Sequence, residues 1–281
     1  MLKIVTALAL GVSCLAAAAE YKTEQREPVH HVFARDSTLD VDNVNGWISV
    51  IGDNEASIRV DGEKIVRGAD QSEVDRGKRE VVLDINEKDG VAQLYVNGPF
   101  RDNGHASQDH GFHEHSDRHY EVIYNLTIHA PRATVLNLRS VNGEVKAGDT
   151  AGAFDIHAVN GAVTMTNIAG SGKVNTVNGP VQIGFRENPR AESSFKTVNG
   201  RIDVTLQPNL SADMKVKTFN GHVYTDFDVT ALASPAGTAE RADGKFVYRS
   251  NRFQSFRAGS GGPELAFETL NGDIHIAKKG K

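Results

Sequence analysis

One five-residue pattern recurs through this chain and limits its fold more than any other feature. An apolar residue, Asn, Gly, a variable residue and a second apolar residue appear as Val44-Asn45-Gly46-Trp47-Ile48, Val141-Asn142-Gly143-Glu144-Val145, Val159-Asn160-Gly161-Ala162-Val163, Val177-Asn178-Gly179-Pro180-Val181, Val198-Asn199-Gly200-Arg201-Ile202, Phe219-Asn220-Gly221-His222-Val223 and Leu270-Asn271-Gly272-Asp273-Ile274. From Asn142 to Asn220 the Asn-Gly pairs fall 18, 18, 21 and 21 residues apart. Units of this size cannot bury an apolar face alone, so neighbouring units must pack on one another.

The residues around each corner alternate. Before it stand an apolar residue, a variable one and usually Thr, Ser or Ala, as in Ile156-His157-Ala158 and Phe195-Lys196-Thr197. After it, Val163 and Met165, or Val181 and Ile183, flank an intervening polar residue. Period-two alternation over four to six residues marks a half-buried strand, so each unit holds two short strands. Asn-Gly suits the corner because Gly accepts positive φ and Asn tolerates the left-handed region. The expected fold is all-β: a single-stranded β-solenoid or β-helix of 18–21-residue coils with the asparagine amides in a ladder. The alternative is an antiparallel β-meander in which each Asn-Gly is a hairpin turn. Near-constant spacing and matched residue sizes at equivalent positions favour the coil.

The N-terminus reads as a signal peptide over residues 1–19, with Lys3, an apolar run from Ile4 to Leu15, and small residues Ala16 to Ala19 before the cleavage point. That run is shorter than the about 20 residues of a membrane-spanning helix, and no later segment approaches that length. Cys14, the only cysteine, lies in this segment within a poor lipobox, so lipid anchoring is the lesser expectation. The mature chain, residues 20–281, lacks cysteine, which excludes disulfides, thiol catalysis and Cys-ligated zinc. Removing Lys3 from the 31 basic residues leaves 30 against 36 acidic ones, a net charge of −6 with His neutral. Such a surface argues against general nucleic-acid binding.

Two stretches interrupt the repeat. Residues 51–130 contain strand-like runs at Ala56 to Val60, Val81 to Ile85, Val91 to Val96 and Tyr120 to His129, expected to cap or flank the stack, and a His-rich loop insertion at 99–119. His105, His110, His113, His115 and His119 could loosely capture Zn²⁺, Ni²⁺ or Cu²⁺, although their spacing fits no defined motif. Residues 228–262, rich in Gly, Ala and Arg, read as an excursion before the last unit. On the outward side, Arg139, His157, Asn175, Lys196 and Lys217 precede successive corners and would form a mostly basic stripe suited to an anionic polysaccharide. The outward row after the corners, Ser49, Lys146, Thr164, Gln182, Asp203, Tyr224 and His275, holds one carboxylate, whereas glycoside hydrolysis usually needs two. No nucleophile elbow, phosphate loop or dinucleotide fingerprint occurs.

The Val-Asn-Gly-x-Val units, Tyr120-Glu121-Val122 running to Pro131, and Gly261-Gly262-Pro263-Glu264-Leu265 leading into Leu270-Asn271-Gly272-Asp273-Ile274 together resemble a family of exported bacterial β-strand-repeat proteins of unknown function that carry an adhesin label. The resemblance covers most of the mature chain and implies a solenoid-like protein of the periplasm or cell surface with no established catalytic residues; no cofactor is expected. The expected function is a non-enzymatic envelope binding or structural module, its partner an envelope protein or polysaccharide. Metal capture by the His-rich loop is the alternative, and a polysaccharide-active enzyme is less expected.

Overall fold

The computed structural model describes residues 21–34, 37–101, 119–232, 238–242, 245–249 and 253–280. Strands β1 (Thr23–Phe33), β2 (Thr38–Asn45), β3 (Ile48–Asp53) and β4 (Ile58–Gly68) lead to helix α1 (Gln71–Glu80), then β5 (Val82–Lys88), β6 (Val91–Asn97) and β7 (Tyr120–Pro131). Short pairs split by the corners follow: β8 (Val135–Asn142) and β9 (Val145–Gly148), β10 (Phe154–Asn160) and β11 (Val163–Ile168), β12 (Gly172–Asn175) and β13 (Val181–Phe185), β14 (Ser193–Asn199) and β15 (Ile202–Leu206), β16 (Ala212–Asn220) and β17 (Val223–Thr225). The excursion holds β18 (Val229–Leu232), β19 (Thr238–Ala242), β20 (Lys245–Arg249) and β21 (Gln254–Ala258) before the last pair, β22 (Glu264–Asn271) and β23 (Ile274–Lys278).

The fold is all-β, built on two open mixed sheets. One has ten strands in the order β1-β4-β7-β3-β9-β11-β13-β15-β23-β17; the other has eleven, β18-β21-β16-β22-β14-β12-β10-β8-β2-β6-β5. The two strands flanking each of the seven corners lie in different sheets, so none of these corners closes a hairpin. Equivalent strands pair in parallel and in register: Val163 with Val145 and Val181, Ile202 with Val181 and Ile274. Inward residues such as Ile156, Val163, Met165, Val174, Val181, Phe195 and Phe267 are fully buried between the sheets. Each aliphatic or aromatic side chain removed from water in this way contributes roughly 1.5–3 kcal/mol. Phe195 stacks on Phe267 at 5.3 Å and meets Phe185 edge-on.

At most corners glycine is required for a reason other than the expected positive φ. Among them only Gly46 and Gly272 have positive φ. Instead, a Cβ on Gly143, Gly161, Gly179, Gly200, Gly272 or Gly221 would lie 2.0 to 2.2 Å from the carbonyl oxygen of the glycine stacked beneath it. Each asparagine amide donates to the one beneath: Asn142 to Asn45, Asn160 to Asn142, Asn178 to Asn160, Asn199 to Asn178, Asn271 to Asn199 and Asn220 to Asn271, at 2.7 to 2.9 Å. Buried hydroxyls complete the column, with Thr176 donating to Gly161 O, Thr197 to Gly179 O and Thr269 to Gly200 O. This explains the preference for Thr or Ser two residues before Asn.

Three features depart from a uniform stack of coils in chain order. First, the last unit lies between the two before it: β22 pairs with both β14 and β16, and β23 with both β15 and β17. Second, the excursion returns β21 antiparallel to β16 and β18. Third, the other end is closed by long antiparallel strands β1, β4 and β7 and by α1, which the strand reading of this segment does not include. Asp70 caps α1 by accepting from Glu73 N, so Asp70-Gln71-Ser72-Glu73 carries a helix-start signal. At the helix C-terminus, the buried Lys64 ammonium donates to Lys78 O at 3.0 Å and Val81 O at 2.7 Å, which suits a cation to that end of the helix dipole. Burial pushes the Lys64 pKa down.

Two glycines test the corner argument directly. Gly161→Ala is expected to cost about 3 kcal/mol or more, because backbone must shift to admit the methyl group. Gly184→Ala in β13 should be close to neutral, since the nearest atom to its Cβ is Met165 O at 4.0 Å. Urea unfolding of the two variants checks this, and equal midpoints would contradict it.

Candidate functional site

The alternation that buries Ile156 and Ala158 turns Asp155, His157 and Val159 to the outer face of the eleven-stranded sheet. The outward residue next to every corner is apolar. Val159, Val177, Val198, Leu270 and Phe219 are 38%, 39%, 37%, 46% and 61% exposed, in spatial order along the stack. The row begins with Val44, buried, and Val141, half-buried. At about 4.8 Å between strands, the steps from Val141 to Phe219 make an apolar stripe on the order of 24 Å long. Contiguous exposed apolar rows of this length are uncommon on folded chains and are typical of interaction surfaces.

Beside this stripe runs the row expected to be basic. Its register order is Asp42, Arg139, His157, Asn175, Lys196, Glu268, Lys217. Intercalation of the last unit sets Glu268 between the two lysines of this row. Lys217 Nζ lies 2.5 Å and Lys196 Nζ 3.1 Å from its carboxylate oxygens. Arg139 is paired with Asp40 at 3.1 Å, and His157 Nε2 lies 2.9 Å from Asp155. A shallow groove of about 550 Å³ lies where the two rows meet, lined by Lys196, Val198, Lys217, Phe219, Glu268 and Leu270. The surface is apolar along its axis and carries paired charges at its margin, where two lysines share one carboxylate.

His105, His110, His113 and His115 lie outside the described residues, as does the signal segment with Cys14. The backbone N–H of His119 donates to Glu73 Oε2, and its carbonyl accepts from Ala69 N. Among the described residues no cluster of His, Cys, Asp and Glu is arranged to hold a metal ion, and no helix is long and apolar enough to cross a membrane. On the ten-stranded sheet, Asp203 is paired with Arg201 at 2.7 Å and lies 3.7 Å from His275 Nδ1, with Tyr224 edge-on to His275. The corner asparagines and glycines form the stacking column already described.

Sequence reasoning missed the apolar stripe, although its signal was present. Once Ile156 and Ala158 are assigned inward, Val159 must point outward, and the same holds for Val177 and Val198. Apolar residues at outward positions in unit after unit need a reason that core packing does not supply.

Burial alone would raise the Glu268 carboxyl, but hydrogen bonds from Lys217 and Lys196 outweigh it and hold the group below its ordinary value of 4.5. A lowered carboxyl contributes stability above the unfolded-state value that is lost as pH falls through the folded-state value. Glu268→Gln is therefore expected to lower the melting temperature at neutral pH, with the difference from the parent shrinking as the solution is acidified through and below 4.5. Thermal melts across pH check this; a difference that is independent of pH would contradict it.

No family model matches the chain, and no curated protein matches it. Among solved structures, a "putative cell adhesion protein" from Clostridium sporogenes is 12% identical with a TM-score of 0.40, covering 90% of this chain and 100% of that one. A "putative adhesin" from Bacteroides fragilis is 12% identical with a TM-score of 0.38, covering 90% and 97%. A "putative lipid binding protein" from Parabacteroides distasonis is 9% identical with a TM-score of 0.26, covering 91% and 97%. These bacterial chains are similar to this one at a level that carries no argument about its ligand.

Proposed function

We propose that the chain is a non-catalytic binding module of the bacterial cell envelope, adhesin-like in role, that docks a protein partner on the outer face of its eleven-stranded sheet. The observation that carries this reading is the row of exposed apolar side chains from Val159 to Phe219. A protein partner that covers this row would bury aliphatic and aromatic surface at its centre and meet paired charges at its rim, the usual distribution in protein interfaces. In-register parallel stacking supports reading the corner units as coils of a single-stranded solenoid, a form that presents long, straight faces. An anionic polysaccharide along Arg139, His157, Asn175, Lys196 and Lys217 is the weaker reading, because Glu268 already engages both lysines. Export by residues 1–19 belongs to the same proposal.

The test places a photo-crosslinking residue at Val198 in cells, with a control at Gln182 on the other sheet. One defined protein adduct is expected from Val198 and not from Gln182, and Val177→Glu should reduce its yield about tenfold or more by setting an unpaired charge in the buried centre. Equal adducts from both positions, or a yield indifferent to Val177→Glu, would overturn the reading.

A further inference from the structure

The column of corners ends differently at its two extremities. At the first, Asn45 Nδ2 donates to Val122 O, Asn43 Nδ2 donates to Tyr124 O at 2.8 Å, and a Cβ on Gly46 would lie 2.2 Å from Tyr124 O. Strand β7 therefore closes that end. At the other extremity stands the unit of Asn220. Its β17 is the terminal strand of the ten-stranded sheet and pairs only with β23 among the described residues. Its β16 is covered by β21 from Ala212 to Val216, and that pairing stops before Lys217.

The internal rungs show which groups are left over there. In each unit the corner glycine N–H donates to the asparagine carbonyl of the next unit, as in Gly161 to Asn178, Gly200 to Asn271 and Gly272 to Asn220. The second residue after the glycine donates likewise, as in Val163 to Pro180 O, Ile202 to Asp273 O and Ile274 to His222 O. The asparagine Oδ1 accepts the amide of the next unit, and the glycine carbonyl accepts a hydroxyl in the rungs reached by Thr176, Thr197, Thr269 and Thr218. At the end unit, Gly221 N–H, Val223 N–H, Asn220 Oδ1 and Gly221 O occupy these four places with no further unit of the stack against them. Among the described residues none of the four has a hydrogen-bond partner on that side.

We propose that this open rung is a docking edge for a β-strand of another polypeptide, and that the strand it takes carries Asn-Gly with Thr or Ser two residues before the Asn. Each element of that pattern answers a group on the edge. An incoming Asn donates its amide to Asn220 Oδ1 and its carbonyl accepts from Gly221 N–H. The residue must be followed by Gly, because a Cβ there would strike Gly221 O as it would at every rung below. A Thr or Ser hydroxyl reaches Gly221 O from the inner side. The carbonyl of the residue after Gly accepts from Val223 N–H. Strand addition supplies affinity through main-chain bonds and specificity through side chains, and proteins ordinarily blunt an edge with no partner. The chain itself shows that such a unit need not be adjacent in sequence, since the last unit enters the stack between the two before it. This edge is separate from the apolar stripe.

The probe is a labelled synthetic peptide with the sequence of Glu264–Lys278, titrated against the folded mature chain. Saturable binding is expected, weakened about tenfold or more when the peptide carries Asn271→Leu or Gly272→Val, because each removes or blocks a bond of the rung. In the chain, Val223→Pro deletes the N–H on the open side and is expected to weaken binding by a similar factor, while circular dichroism and the urea midpoint report an intact fold. Val177→Glu, on the stripe, should leave peptide binding unchanged. Self-association of the chain that Val223→Pro abolishes would support the edge, with a second copy as the donor. Absence of binding at millimolar peptide would overturn the proposal. So would binding indifferent to Val223→Pro, which would instead mean displacement of the chain's own last unit.

Discussion

The approach of one corner glycine to the carbonyl of the next is the contact on which the rest of the molecule depends. It brings successive corners to strand spacing, aligns the asparagine amides, and leaves no room for a side chain at that position. Each amide bond of the ladder is worth on the order of 1 kcal/mol by itself, but its geometric effect is larger. By locking the corners in register, the column dictates that identical positions of every unit lie over one another. Inward valines, isoleucines and phenylalanines then fill the space between the sheets, and the buried hydroxyls of Thr176, Thr197 and Thr269 find acceptors where they would otherwise be stranded.

Register also turns a one-residue preference into a surface. An apolar residue before each Asn is unremarkable in any single unit, but stacking makes it a continuous row. The same multiplication does not produce a basic row from Arg139, Lys196 and Lys217. The chain inserts Glu268 between the lysines, and the cations settle into local pairs. Surface pairs of this kind contribute little to stability, so their effect is mainly on what the face can recognise. It offers apolar area with ion-paired side chains at its margin.

The two ends of the column have different consequences. Strands β1, β4 and β7 with helix α1 close the first end, where Lys64 is held in the interior by carbonyls at the helix terminus. The opposite end finishes on a three-residue strand whose outward backbone groups repeat the chemistry of the rungs below. A stack capped at one end and left open at the other has a direction, and the proposed docking edge follows from that direction.

Much of the fold was legible in the residues themselves. Alternation and the spacing of Asn-Gly pairs determined short strands, corners, the inward and outward assignment of Val163 or Lys196, and the amide ladder, because these depend on local geometry repeated at a constant period. Even the outward Val159 and Val177 followed from that alternation. The need for glycine was legible but its cause was not, since backbone-to-backbone contact between units appears only once they are stacked. The order of the units, the pairing of Glu268 with Lys196 and Lys217, the closure by β7 and the open edge at β17 were decided by tertiary structure alone. These depend on which unit lies against which across 50 or more residues of chain, as between Lys217 and Glu268, and a repeat whose copies are chemically alike does not specify its own stacking order.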